Sequence, residues 1–250
     1  MEKILNYING ELIEPSSKIY IENIDPSCGK AYSLVPDSCA NDVNEAVKSA
    51  KVAYSFWSKT TKQERSDVLK KLADAIEENF DVLVAAESRD NGKPLSLAAK
   101  VDIPRASANL RFFAGAILHD SSDVHEMDGE AINYTLRVPI GVAACISPWN
   151  LPLYLLTWKI APALATGNTV VAKPSEITPM TAYLLSKICK EINFPKGVLN
   201  IIHGRGEKLG DALTTHQDVP IVSFTGGSDT GKHISKVTAP YFKKLSLFGV

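Results

Sequence analysis

Four short loops concentrate the polar and glycine chemistry of this chain. They are Pro148-Trp149-Asn150-Leu151-Pro152, Lys173-Pro174-Ser175-Glu176, His203 to Gly210, and Phe224 to Gly231. In the second, Lys173 and Glu176 follow an apolar run. A lysine that donates and a carboxylate that accepts can grip the two hydroxyls of a ribose. A glutamate there also repels a 2′-phosphate, which favours NAD over NADP. The same residues also fit a helix start, with Ser175 as cap and Glu176 complementing the dipole. In Gly204-Arg205-Gly206, with Gly210 one turn on, glycine lets the backbone approach a flat ring or a phosphate closely. That spacing is not the usual G-x-G-x-x-G, and an ordinary strand-to-helix turn explains it as well. Phe224-Thr225-Gly226-Gly227-Ser228 opens a helix, whose free amides suit a pyrophosphate; a glycine turn with Ser228 as N-cap is the plainer alternative. Asn150, fixed between prolines, can donate its amide to a developing oxyanion, or it can be a simple turn residue.

Other chemistries find little support. The four cysteines, Cys28, Cys39, Cys145 and Cys189, lack the spacing of a zinc site or a disulfide scaffold, which implies reduced thiols in a cytoplasmic protein. Cys145 falls inside an apolar strand, where thiols are normally inert. The histidines (His119, His125, His203, His216, His233) show no metal-ligand spacing and are expected on the surface or in loops; no metal is expected. No serine nucleophile elbow is present. Among 250 residues, 27 Lys+Arg balance 28 Asp+Glu, leaving no basic excess for a nucleic-acid partner. No apolar run approaches the ~18 residues of a membrane span, and Met1 to Gly10 does not look like a signal peptide.

The elements that must position these loops are legible from periodicity. Tyr7 to Leu34 suggests short strands with turns at Asn9-Gly10 and Pro26 to Gly29. Ala40 to about His119 is helical, with Val43, Ala46, Val47, Ala50 and Ala53 on one face. Thr61-Lys62-Gln63-Glu64 is a capping box, opening a helix with Val68, Leu72, Ala75 and Ile76 on one side. Asn91-Gly92-Lys93-Pro94 is a stop signal before a helix from Leu95 to Ala116. Charged residues between the apolar positions are expected on solvated faces. Ala131 to Val138 suggests a strand or hairpin arm.

Strands are then expected at Gly141–Ser147, Thr169–Lys173, Val198–His203, Ile221–Thr225 and Lys243–Leu247. Helices fit between them at Leu153–Ala165, Met180–Asn193, Glu207–His216 and Ser228–Thr238. The pattern predicts an α/β fold: a doubly wound, mostly parallel, Rossmann-like sheet with an N-terminal helical region and a protruding β-hairpin. Ligands bind beyond the carboxyl ends of such strands, where the four loops fall.

Taken together and in this order, the loops resemble the NAD(P)-dependent aldehyde dehydrogenase superfamily. The matching pieces are SPWNLP (147–152), KIAPALATGNTVVAKPSE (159–176), FPKGVLNIIHGRG (194–206) and SFTGG (223–227), and the similarity covers essentially the whole chain. DIPRASANLRFFAG (102–115) and SPWNLPLYLLTWKIAPAL (147–164) are most similar to the 2-aminomuconic and 2-hydroxymuconic semialdehyde dehydrogenases. The resemblance implies oxidation of an aldehyde, with a muconic-type semialdehyde as a candidate, to the acid with NAD. It implies thiolate attack, hydride transfer to nicotinamide, and hydrolysis of the thioester by water that a glutamate activates.

Residue by residue, it makes Asn150 the oxyanion amide and gives Lys173 and Glu176 the adenosine ribose. Gly206 and Gly210 would approach the adenine, Phe224 would lie near the nicotinamide side, and Gly226 and Gly227 would open the pyrophosphate helix. The family usually has Ser at Gly227. Ile146, Ser147, Pro148 and Trp149 would line the cofactor cleft, and Tyr154, Leu155 and Trp158 the aldehyde tunnel. Arg105 would grip a substrate carboxylate, or form a surface or intersubunit ion pair.

The resemblance divides the chain into the N-terminal part of a cofactor domain (1–118), an oligomerisation hairpin (119–138) and a Rossmann-like core (139–250). Phe248 stands where the family's general-base glutamate is expected, and the nucleophilic cysteine belongs to a segment further on. The expectation is a chain truncated before the catalytic domain and inactive alone. The alternative is a non-catalytic NAD-binding or interaction module that pairs with full-length paralogues. Either homo- or hetero-oligomers would then form through the hairpin.

Overall fold

The computed structural model describes residues 1–249; Val250, the end of the expected 139–250 core, lies outside the described residues. Strands β1 (Glu2–Lys3), β2 (Asn6–Ile8), β3 (Glu11–Ile13), β4 (Tyr20–Asp25) and β5 (Lys30–Pro36) open the chain. Helices α1 (Ala40–Trp57), α2 (Lys62–Glu78) and α3 (Phe80–Asn91) follow. Next come a short turn α4 (Leu95–Leu97), a π-turn at Ala98–Asp102, and α5 (Ile103–Ala116). Strands β6 (Val124–Met127) and β7 (Ala131–Tyr134) form a two-stranded hairpin, exposed at every position. Then strand and helix alternate: β8 (Val142–Ile146), α6 (Pro152–Ala165), β9 (Thr169–Lys173), α7 (Met180–Glu191), β10 (Leu199–Ile201), α8 (Gly206–Thr214), β11 (Ile221–Gly226), α9 (Ser228–Thr238) and β12 (Lys244–Gly249).

Local signals account for the helix limits. Thr61 accepts from the Glu64 amide while Glu64 reaches back to the Thr61 amide, closing the capping box that starts α2. Gly92, left-handed at φ 77°, ends α3 as the stop signal requires. Two cap expectations are corrected. Gly227, not Ser228, is the N-cap of α9. Ser175 caps no helix, because α7 starts only at Met180; its hydroxyl instead accepts from the Ile177 amide.

The central sheet has the order β12-β11-β8-β9-β10-β2-β3. Its first five strands are parallel, and β2 joins β10 antiparallel, so the N-terminal β2–β3 hairpin extends the same sheet. The fold is Rossmann-like. Alternate residues of each central strand enter opposite cores. Ala143 and Cys145 pack toward α2, α5 and α6, whereas Val142, Ala144 and Ile146 pack toward α1 and α8. Burial on both faces is why these strands are continuous apolar runs rather than alternating ones.

The solvated-face expectation fails at Asp42, Arg65, Glu87, Asp90 and Asp102, all buried. Each has found a partner: Arg65 donates to the carbonyl of Ala165, and Asp90 accepts from Asn23 and the Met180 amide. Burial of such groups requires that pairing. No helix among the described residues is long and apolar enough to cross a membrane.

Candidate functional site

The chain winds β8, β9 and β10 in one direction, then crosses back to place β11 on the other side of β8. That reversal opens a crevice at the carboxyl ends of β8 and β11. The cleft there measures about 710 Å³. From the end of β8 it is lined by Ile146 and Ser147, and from the end of β9 by Lys173 and Glu176. Gly206 and Gly210 line it from α8, and Phe224, Gly226 and Gly227 from β11 and the start of α9. Nine sequence-selected residues from four separate loops therefore share one cavity. Pro148 and Trp149 do not line it; Trp149 is 53% exposed beyond its rim.

Lys173 and Glu176 form the polar centre. The Lys173 Nζ lies 2.8 Å from Glu176 Oε2, and the Gly206 amide donates to Glu176 Oε1 at 3.1 Å. Burial works to raise the Glu176 pKa, but the Lys173 charge and the backbone amides more than offset it, so the carboxyl stays below its usual range. An ionised glutamate accepts hydrogen bonds and opposes a nearby phosphate.

The glycines leave room or demand contact. A Cβ on Gly210 or Gly227 would meet nothing within 4 Å, so both backbones face open space. On Gly226 it would lie 2.6 Å from the Phe224 ring, which is folded beneath that residue. Ser147 offers a buried hydroxyl with no partner among the described residues. An unpartnered donor, open glycine walls, a helix N-terminus and a ribose-type Lys–Glu pair together fit a dinucleotide.

Asn150 lies beyond the cleft on the β8–α6 loop. Its carbonyl accepts from Lys93 Nζ and Asn91 Nδ2, while its side-chain amide makes no hydrogen bond among the described residues. Tyr154 and Leu155 are half-buried on α6, and Trp158 packs edge-on against Phe113, with ring centroids 5.6 Å apart. Arg105 is exposed on α5 without an ion-pair partner among the described residues, away from the cleft.

Among the described residues, no cysteine lines the cleft. Burial pushes the Cys145 thiol up to about 12 and raises Cys189 further. Cys28 and Cys39 lie outside the cleft. Phe248 lies on β12, with Lys159 Nζ 5.9 Å from its ring centroid.

Nothing in the sequence marks the opposite rim, where Asp211 of α8 meets His233 of α9 at 2.7 Å. Their positions, one after Gly210 and one turn beyond Asp229, carry no motif signal. One histidine expectation is corrected. His203 is in a loop but fully buried, both ring nitrogens lack partners among the described residues, and burial pushes its pKa down to about 3.

The sequence model of the aldehyde dehydrogenase family matches residues 12–248. The 2-aminomuconic semialdehyde dehydrogenase of Danio rerio is 54% identical over 243 residues, covering 97% of this chain and 50% of that protein. The 2-hydroxymuconic semialdehyde dehydrogenase of Pseudomonas sp. strain CF600 is 42% identical over 252 residues, covering 98% and 52%. The NAD+ complex of an aldehyde dehydrogenase from Bacillus cereus superposes with a TM-score of 0.95 at 37% identity, covering 98% of this chain and 50% of that one. The chain spans about half the length of the curated relatives it matches.

Proposed function

The chain belongs to the aldehyde dehydrogenase family, and from that premise we propose that it is a cofactor-binding portion that holds NAD in the cleft between β8 and β11. The observation that carries this reading is the Lys173–Glu176 pair at the end of β9, fixed from the far side by the Gly206 amide. Lys173 donates to one ribose hydroxyl and Glu176 accepts from it and its neighbour. Gly206 and Gly210 admit the adenine, and Gly226 and Gly227 bring the amides of α9 to the pyrophosphate. Ser147 donates from the cleft wall, and Phe224 supports the floor beneath Gly226. Bound NAD supplies the hydride acceptor. Asn150 supplies the amide for an oxyanion.

The substrate class in this reading is a semialdehyde, supported by the muconic-type relatives. Tyr154, Leu155 and Trp158 form its tunnel wall, and Arg105 is a carboxylate partner. Residues 1–118, 119–138 and 139–250 serve as cofactor-domain scaffold, oligomerisation hairpin and NAD-binding core, in a cytoplasmic setting that suits four free cysteines. The hairpin favours a companion reading as a module that pairs with a second copy or a full-length paralogue, because its apolar side chains are uncovered.

Calorimetric titration with NAD and NADP tests the proposal. NAD should bind and NADP much more weakly, and Glu176→Gln should weaken NAD about tenfold and narrow the gap between the two. Absence of NAD binding, or equal affinity for NADP, overturns it. The isolated chain should not oxidise a semialdehyde, since none of its cysteines is an exposed thiol at the cleft; turnover that Asn150→Ala abolishes would refute that.

A further inference from the structure

Lys93 belongs to the stop signal after α3, yet ending a helix needs only Gly92 and Pro94. A lysine there could simply be solvated. Instead its side chain is 7% exposed and turns inward. Its Nζ lies 2.8 Å from Asp102 Oδ1 and 3.4 Å from Glu87 Oε1. Both carboxylates are fully buried, and their second oxygens, Glu87 Oε2 and Asp102 Oδ2, have no partner among the described residues. The third acceptor of Nζ is the backbone carbonyl of Asn150, at 3.1 Å.

The neighbours of Lys93 converge on the same loop. Asn91 Nδ2 donates to the carbonyls of Trp149, at 2.8 Å, and Asn150, at 3.3 Å. Thr178 Oγ1 donates to the Trp149 carbonyl at 3.1 Å. Asp102 reaches the cluster from the π-turn at Ala98–Asp102. Such turns add a residue to a helix and frequently mark functional positions. A buried ammonium shared by two buried carboxylates is a poor way to stabilise a fold, because well-packed apolar side chains often do as well. What apolar side chains cannot do is hold a carbonyl at one place and one angle.

We infer that Lys93, held by Glu87 and Asp102, is a positioning residue that fixes the backbone of Asn150 and thereby the orientation of its side-chain amide. The inference rests on the reading of Asn150 as the oxyanion donor for its functional meaning. The clamp itself is independent of that reading. Lys93 touches no reacting group; it acts through Asn150. Asn91 shares the grip, so the tie should loosen rather than vanish when Lys93 is changed.

NMR of the free chain tests the clamp, read at the ¹³C′ signals of Trp149 and Asn150, the carbonyls that Asn91 and Lys93 hold, and at the Asn150 side-chain NH2 pair. The NH2 pair is identified by its loss in Asn150→Ala. Lys93→Met should shift the Asn150 ¹³C′ signal and broaden or split the NH2 pair, leaving the signals of α2 unchanged. Lys93→Arg should restore most of both signals, because a guanidinium keeps the charge and the donors. Unchanged Asn150 signals in a folded Lys93→Met chain overturn the inference, and so do changes spread evenly over the whole chain. If Lys93→Met does not fold, Asp102→Asn replaces it as the deciding variant. It keeps the shape, removes one of the two charges that hold Lys93, and should give a smaller change confined to the same signals; no change there overturns the inference. The signals are read without cofactor or substrate. A wrong oxyanion role would therefore leave this pattern intact, whereas a negative result here would leave that role standing.

Discussion

His203 shows how much one side chain can shift within a single fold. It follows β10, is 1% exposed, and offers two ring nitrogens that no described residue engages. Burial holds its pKa down to about 3, and the Lys173 charge acts in the same direction. Its folded pKa is below the unfolded value near 6.5. Between those two values the unfolded chain takes up a proton that the folded chain refuses, so stability falls as pH drops through that window. His203→Phe removes both the orphaned nitrogens and this proton uptake. The variant should be as stable as the parent or more so by about 1 kcal/mol at pH 7. Its advantage should widen as pH falls from 6.5, and urea titrations at several pH values would register a contrary trend.

At the scale of elements, the start of α8 matters most to the cleft, because it carries Gly206 and Gly210. Arg205 is the N-cap residue but makes no side-chain cap bond. Its guanidinium and the Lys208 ammonium both bind the buried Asp37 carboxylate, at 2.7 Å each, which ties the loop to the end of β5. The Arg205 hydrogen bond is the main cause that holds the Asp37 pKa at about 2, against the opposing effect of burial. A lowered carboxyl pKa contributes stability that is present above the unfolded value near 4 and lost as pH falls through about 2. Arg205 and Lys208 are 45% and 39% exposed, so solvent screening trims the contribution to about 1–2 kcal/mol. Asp37→Asn should lose that amount at pH 7 and nearly nothing at pH 2. Equal denaturation midpoints at pH 7 would show that the triad does not anchor α8.

At the scale of the whole molecule, the hairpin is an apolar surface left uncovered among the described residues. Along the β6–β7 hairpin, Val124, Met127, Ile132 and Tyr134 are each more than half exposed. A lone two-stranded ribbon is marginal in water, and exposed apolar patches of this kind mark contact surfaces. Sedimentation of the chain should therefore show self-association, and Ile132→Lys with Tyr134→Lys should return it to a monomer. A monomeric parent chain would exclude the hairpin as a contact between copies.

Local chemistry determined a great deal by itself. The capping box at Thr61, the stop at Gly92, and the apolar runs from Val142 to Phe224 each depend on neighbours a few residues away, so their elements followed from period and cap type. The nine residues that share the cleft were singled out by the chemistry of their loops and by the family resemblance of those loops, not by period alone. Tertiary structure alone decided that β2–β3 would extend the main sheet, since strand pairing partners leave no local trace. It also decided that His203 would be buried, that Asp211 and His233 would meet across the cleft, and that Lys93 would turn from a helix stop toward Asn150. Each of these is a contact between residues far apart in the chain. Such contacts arise when the winding reverses between β10 and β11 and when α3 packs against α7, bringing groups together at distances that spacing along the sequence does not encode.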